Sequence, residues 1–442
     1  MVRSGAWTLG AILVLGGVSA AESADISELS GGSFFSPLGD VYPSLPQNWA
    51  DLPFKLSFSQ NLEYNSNIYN TPVLNNGGST ASQLVYGHPI GAMETVSNLA
   101  GSTIFYWGSQ QFFLNGSYGM YRYVNHDTLN TAHNSLNAGM NWVYTSKCTG
   151  KLVFAESTAP AEPGQQVAIN QLNVLSQVSF NETATCNITG NWSGILNSGA
   201  SRSTNSAYLD KANNFQNAFV SAGLTYTVSD TNTVQLLGTV TRTHYPDREA
   251  VLSSLANSQL LTDVTQEQVN LSYTKNFGPN ITTIASIGAV TNSSGTTGSG
   301  SSQSGIEPQF SLSAQWAITP KLGVNVSVAR VVTPPTSVIG NQQTNETVNF
   351  GLHYAITPKV TFTASGSATH SSGGLTSAQT TILQALYPNL TNSRTYGITT
   401  GLNYAITPFL GANLSYQYTR SVSESYTTPT STVMLALNFA PY

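Results

Sequence analysis

From residue 54 onward, apolar side chains recur at alternate positions in segments of about ten residues. Between Tyr396 and Ile406, one face carries Tyr396, Ile398, Thr400, Leu402, Tyr404 and Ile406. The other carries Gly397, Thr399, Gly401, Asn403 and Ala405. The next segment repeats the split, with Leu410, Ala412, Leu414, Tyr416 and Tyr418 opposite Gly411, Asn413, Ser415, Gln417 and Thr419. Leu322, Val324, Val326 and Val328 alternate with Gly323, Asn325, Ser327 and Ala329, and Phe350, Leu352, Tyr354 and Ile356 alternate with Asn349, Gly351, His353 and Ala355. Period-two alternation predicts strands with one greasy face and one small, polar face. In a soluble sandwich the second face usually carries charge. Here it is nearly uncharged and often Gly, the composition expected of a wall around a water-filled lumen.

The connections alternate between tight and long. Tight ones fall at Gly108–Gln110, Ile318–Pro320, Ile356–Pro358 and Ile406–Pro408, and long ones at Asn65–Thr95, His244–Asp263, Asn292–Gly305 and Ser371–Ser393. Outer-membrane barrels show this asymmetry, with short periplasmic turns and long external loops. The long connections are rich in Gly, Ser and Asn; Ser293–Gly305 reads as a flexible loop, and Glu249–Leu261 and Thr376–Leu386 read as short helices. Ala-Ile-Thr-Pro recurs at Ala317–Pro320, Ala355–Pro358 and Ala405–Pro408, each time after an aromatic: Trp316, Tyr354 or Tyr404. Proline presets φ for the turn and keeps the preceding Thr extended. The aromatics, with Tyr226 and Tyr273 in comparable places, predict a girdle at the periplasmic membrane interface. Counting segments gives about 18 strands from Phe54 to the C-terminus, or 16 without Lys151–Glu156 and Asn187–Ser198. The fold class is therefore all-β, a closed antiparallel transmembrane barrel. The last segment, Val433, Leu435, Leu437 and Phe439 with Tyr442 at the end, has the aromatic-rich terminus of a signal for the barrel-assembly machinery.

The N-terminus adds the address. Arg3, an apolar run from Ala6 to Val18, and small residues at Ser19, Ala20 and Ala21 form the three-part layout of a secretory signal peptide. We assign 1–24 to it, 25–53, with Pro37, Pro43, Pro46 and Pro53, to an irregular periplasmic lead-in, and 54–442 to the barrel. Past residue 25 no apolar run is long enough for a membrane helix, so an exported chain is either soluble or crosses as a barrel.

Composition changes the picture in one respect. Only 8% of residues are charged, yet hydrophobic residues reach just 40%; Ser, Thr, Asn, Gly and Tyr fill the difference. The 21 Tyr and 17 Phe argue against a disordered chain. With 15 basic and 20 acidic residues, the net charge of -5 offers no footprint for nucleic acid.

Candidate chemistry is sparse. Cys148 and Cys186 are the only thiols, each beside a predicted periplasmic turn, in a compartment that oxidises thiols. A disulfide between them would close a loop of about 38 residues, worth about 3–4 kcal/mol in the chain-entropy account. The histidines, at 88, 126, 133, 244, 353 and 370, lack the i, i+4 spacing of a helical metal motif, and no cofactor is implied. His133 and Ser135 share a face by alternation, as a His and a Ser do in outer-membrane lipid hydrolases, but their neighbours complete no such motif. Glu63 and Glu156 are candidates for the lumen.

The first strand and its exit, Leu62-Glu63-Tyr64-Asn65-Ser66-Asn67-Ile68-Tyr69, carry a Tyr-x-x-Asn-hydrophobic-aromatic pattern. With the closing Leu414–Arg420 and Val433–Phe439, they resemble the β-barrel porins associated with bacterial exopolysaccharide biosynthesis. The resemblance spans roughly residues 54–440. It implies an outer-membrane barrel surrounded by lipid and serving polysaccharide export, and it supplies no functional residues. The residues themselves point to passage of polar solutes or polysaccharide through a weakly charged pore. The alternatives are a plugged barrel binding partners through loops such as Asn65–Thr95, and a lipid hydrolase at His133.

Overall fold

A computed structural model describes residues 54–68, 73–74, 90–160, 173–252, 261–296, 302–303, 305–333, 343–373, 392–422 and 426–440. The segments assigned to the signal peptide and lead-in, the helix at 376–386 and Tyr442 lie outside these residues.

Eighteen long strands make up the wall. They are β1 (Phe54–Asn65), β2 (Ala92–Trp107), β3 (Gln110–Tyr123), β4 (Thr131–Thr145), β5 (Cys148–Pro160) and β6 (Val174–Thr189). Next come β7 (Trp192–Asn205), β8 (Phe215–Ser229), β9 (Asn232–His244), β10 (Leu261–Phe277), β11 (Ile281–Thr296) and β12 (Glu307–Thr319). The last six are β13 (Leu322–Thr333), β14 (Gln343–Thr357), β15 (Val360–Gly373), β16 (Ser393–Thr407), β17 (Leu410–Val422) and β18 (Tyr426–Phe439). Every strand pairs antiparallel with its sequence neighbours, and β18 closes on β1 from Phe58↔Phe439 to Asn65↔Thr432. Closure leaves no unpaired edge, so the backbone satisfies itself without water. Among the described residues no helix is long and apolar enough to cross a membrane.

Two boundaries differ from the sequence reading. The segment expected at Asn187–Ser198 is the end of β6, the Gly190-Asn191 turn and the first half of β7. Gly190 has φ 44°, a left-handed conformation that favours glycine and turns the chain there. Ser293–Gly305 is partly strand: β11 runs to Thr296, and Ser302–Gln303 pairs back onto Ser293–Ser294. Of the helix expected at Glu249–Leu261, a five-residue helix α1 (Arg248–Leu252) is present, and 253–260 lie outside the described residues.

All tight connections lie at one end of the barrel, the periplasmic end in outer-membrane barrels. The Thr of each Ala-Ile-Thr-Pro repeat has a role beyond extended backbone. Thr319 Oγ1 accepts from the backbone N–H of Lys321 (3.2 Å) and Leu322 (3.0 Å). Thr357 and Thr407 do the same to the residues two and three ahead, and so does Thr145, which has no proline after it. The register shifts by one residue at each of these sites, between Ala317 and Thr319, Ala355 and Thr357, Ala405 and Thr407, and Val143 and Thr145. A bulge therefore ends each ladder, and a hydroxyl receives the amide hydrogens the bulge frees.

The apolar face points outward. Leu99, Leu136, Phe180, Val220, Leu236, Ile287, Leu312, Ile398 and Leu435 are all exposed around the wall. Aromatics border this belt at the tight-turn end: Trp107, Tyr144, Trp192, Phe277, Trp316, Tyr354 and Tyr404. Tyr64, Tyr118, Tyr396 and Tyr416 sit towards the other end. Exposed aliphatic area on this scale is stable only against hydrocarbon, so the molecule is an outer-membrane β-barrel. Even a polar pair on the outer face is satisfied internally: Ser97 Oγ donates to Gln60 Oε1 across β1–β2 at 2.7 Å.

Candidate functional site

The inward faces define the candidate site. Pairing fixes which positions these are, because directly opposed residues share a face. Outward Tyr354, Phe362, Leu402, Leu414 and Leu435 lie in one continuous row of pairs. Their sequence neighbours therefore face the lumen.

From β6 to β18 the inward positions are almost entirely Ser, Thr, Asn, Gln, Gly and small apolar residues. No Lys, Arg or Asp is among them; His353 is the one imidazole, and Glu307 stands at the long-connection end of β12. The polar groups bond one another in rungs around the wall. Ser221 and Thr239 hydroxyls lie 2.9 Å apart, Gln309 donates to Asn270 at 2.7 Å, Ser286 and Ser311 share a 2.7 Å bond, and Asn413 donates to Asn403 at 2.7 Å. Over β13–β17 the wall is hollowed into a concavity of about 440 Å³. Asn325, Asn349, His353, Thr363, Ser365, Ser367, Thr399 and Gln417 line it. These groups both donate and accept hydrogen bonds and carry no fixed charge, so they suit hydroxyls and water better than ions.

The remaining lumen charge sits on β1, β2 and β5. Lys55 and Lys151 are near the tight-turn end, and Lys151 Nζ stands 5.3 Å from the centre of the Phe113 ring. Glu63 and Glu94 oppose each other towards the other end, and Glu94 in turn opposes Tyr123. Glu94 hydrogen-bonds both partners. Glu63 thus lies in the lumen, but Glu156 does not. It pairs with Leu136 and Val178 on the face of Phe154 and Phe180, so it points outward. Counting two residues from Phe154 would have placed it there.

His133 and Ser135 share the lumen face but do not pair with each other. Ser135 bonds the Ser117 hydroxyl at 2.6 Å. The His133 ring leans on Tyr121, with 4.9 Å between centroids, and covers Gly119, where a side chain would collide with it. This arrangement packs an imidazole over a glycine and leaves the hydroxyl without a base.

Cys148 and Cys186 are opposed in register on β5 and β6, beside the tight-turn end on the outward face, and the structure joins them as a disulfide. Of the girdle residues, Trp316, Tyr273, Tyr354 and Tyr404 are exposed on the outer face near the tight-turn end. Tyr226 is half-buried, its ring 4.7 Å from that of Trp192. Tyr273 turns its hydroxyl to Asn232 Oδ1 at 3.1 Å, giving its polar tip a partner.

A packed cap at the long-connection end had no signal in the sequence pattern. The 3-10 turn Leu209–Asn213 meets α1 (Arg248–Leu252). Arg248 is fully buried, its guanidinium 3.5 Å from the centre of the Tyr245 ring and its Nε donating to the Ala212 carbonyl at 3.2 Å. Asn173 donates to Asn205 (2.8 Å), Asn205 donates to Asn214 (3.1 Å), and Asn214 donates to Asp247 (2.7 Å). Burial raises the Tyr245 phenol above its ordinary range, and Arg248 only partly offsets that. Such a chain of side-chain bonds needs three connections brought together, which periodicity does not report.

No protein-family model and no curated protein matches the chain. Solved structures similar to it include OccK1 (OpdK) of Pseudomonas aeruginosa, with TM-score 0.46 and 10% identity over 88% of this chain and 98% of that one. OpdL of the same organism has TM-score 0.44 and 11% identity over 89% and 100%. The FrpB iron transporter of Neisseria meningitidis has TM-score 0.47 and 9% identity over 86% and 63%.

Proposed function

We propose that this porin-like barrel conducts neutral, polar, hydroxyl-rich solutes, saccharides above all, by diffusion through its lumen. One observation carries the reading: thirteen consecutive strands, β6 to β18, line the lumen with hydroxyl and amide groups and almost no fixed charge. A charged ring would select ions; amide and hydroxyl rungs exchange hydrogen bonds with a sugar at little net cost. Barrels of this strand number are wide enough for water and small solutes.

Liposome swelling tests this. Vesicles containing the barrel should admit a neutral monosaccharide at least as fast as a sugar acid of equal size. Several-fold faster entry of the acid would overturn the reading.

The finer reading, export of an exopolysaccharide, is the long-chain form of the same idea. The Tyr64–Tyr69 motif and the closing hairpin support it, and the uncharged wall suits a sliding glycan. Deletion of the protein should then lower surface polysaccharide while leaving its synthesis intact. Unchanged surface polysaccharide would remove the export role but leave the small-solute pore.

A second reading, a barrel closed at its outer mouth that acts through its loops, is favoured by the packed cap around Arg248. If the cap closes the lumen, Arg248→Ala should raise conductance by loosening it. Equal conductance in both forms would count against closure.

A further inference from the structure

The basic residues are sorted by type along the barrel axis. Of the seven lysines, Lys147, Lys151, Lys275, Lys321 and Lys359 lie in tight turns or within four residues of them, Lys55 stands at the same end at the start of β1, and Lys211 lies in the 3-10 turn of the cap at the other end. Among the described residues no arginine lies at that end; of the eight in the sequence, Arg3 is outside the described residues and Arg248 is buried in the cap. The other six, Arg122, Arg202, Arg242, Arg330, Arg394 and Arg420, all fall within the last four strand residues at the long-connection end. Register puts each on the outward face, although the half-buried Arg330 turns its guanidinium to Glu307, which register places on the lumen side of β12. Arg122 opposes Thr95, Arg202 opposes Val178, Arg330 opposes Phe310, and Arg420 opposes Tyr396. Two have carboxylates: Asp263 is 3.6 Å from Arg242, and Glu307 is 3.4 Å from Arg330. Among the described residues no carboxylate within 4.0 Å pairs with Arg122, Arg202, Arg394 or Arg420, and all four are exposed.

We propose that this arginine collar docks the phosphate groups of lipopolysaccharide, the anionic glycolipid of the outer leaflet. The guanidiniums stand at the upper border of the apolar belt, where a lipid headgroup meets the wall. Arg grips phosphate with two parallel N–H bonds, whereas Lys offers a point charge. The choice of Arg at this end alone therefore matches phosphate recognition better than general snorkelling, which would use both residues at both ends. Glu156, Glu267 and Glu346 face outward on β5, β10 and β14, with Glu346 opposed to both Arg330 and His370. Nothing in this inference depends on what the lumen carries.

The test is titration of the refolded, full-length barrel in detergent with labelled lipopolysaccharide, with heat-modifiable gel mobility as the check on folding. Replacing four arginines together (R122Q, R202Q, R394Q, R420Q) should weaken binding about tenfold or more, since each lost charge-assisted contact contributes. Replacing three turn lysines (K147Q, K321Q, K359Q) should leave it within about twofold. Should the arginine variant fail to fold, the wild-type barrel still decides, because it should bind dephosphorylated lipopolysaccharide about tenfold more weakly. Equal binding by the arginine variant, an equal loss in the lysine variant, or indifference to dephosphorylation would each overturn the proposal. Displacement by excess inorganic phosphate alone would also overturn it, by showing an anion site rather than a lipid-docking surface.

Discussion

The recurrent Thr of the tight turns shows how one hydroxyl shapes a hairpin. Each bulge frees amide hydrogens in a place where the ladder has ended, and Thr145, Thr319, Thr357 and Thr407 accept them. Thr319→Val keeps shape and β-propensity but removes the acceptor. It should cost about 1 kcal/mol in urea unfolding from lipid vesicles, the usual worth of such a bond. An unchanged midpoint would show that proline alone sets the turn. The disulfide is the other residue-scale feature. Cys148→Ser should lower stability by about 2–4 kcal/mol under oxidising conditions. Reductant should bring the wild type down to the same midpoint; no response to reductant would show that the bond holds nothing. The turn positions were legible because Pro and Gly mark them. The Thr hydroxyl bonds were not, since a Thr in a strand end reads as ordinary β-propensity.

At the scale of a strand, the two faces obey different solvents. Leu435 in β18 is exposed to lipid, while its neighbour Met434 opposes Glu63 on the lumen side. Leu435→Arg should therefore destabilise the barrel by about 2–4 kcal/mol, the cost of a cation near the bilayer midplane. Ser415→Arg on the lumen face of β17 should fold normally and shift the pore towards anions, which a salt-gradient reversal potential would register. If both substitutions cost the same stability, the assignment of faces fails. Most strands could be read directly, because every second residue of segments such as Tyr396–Ile406 reports its solvent. Two places interrupt the alternation and are not legible from it. Around Asn187–Ser198 a tight Gly-Asn turn sits inside what looks like one segment. At Glu156 a carboxylate occupies an outward position, and polarity alone misdirects.

For the whole molecule, the distribution of charge organises the account. Six arginines collar the outer end, five of the seven lysines gather at the tight turns, and thirteen strands of the lumen wall carry almost nothing ionised. Composition hinted at this, since 8% charged residues cannot cover a soluble surface, but it could not say where the charges lie. Only strand register sorts them into lumen, rim and outer face. Register likewise revealed which polar residues converge over β13–β17, while the cap around Arg248 required packing between connections far apart in sequence. The most direct measurement of an open, nearly uncharged lumen is a planar-bilayer recording of the purified barrel across a tenfold salt gradient. Such a lumen should give discrete conductance steps with a cation-to-anion permeability ratio between about 0.5 and 2. A silent bilayer, or strong selection for either ion, would contradict it.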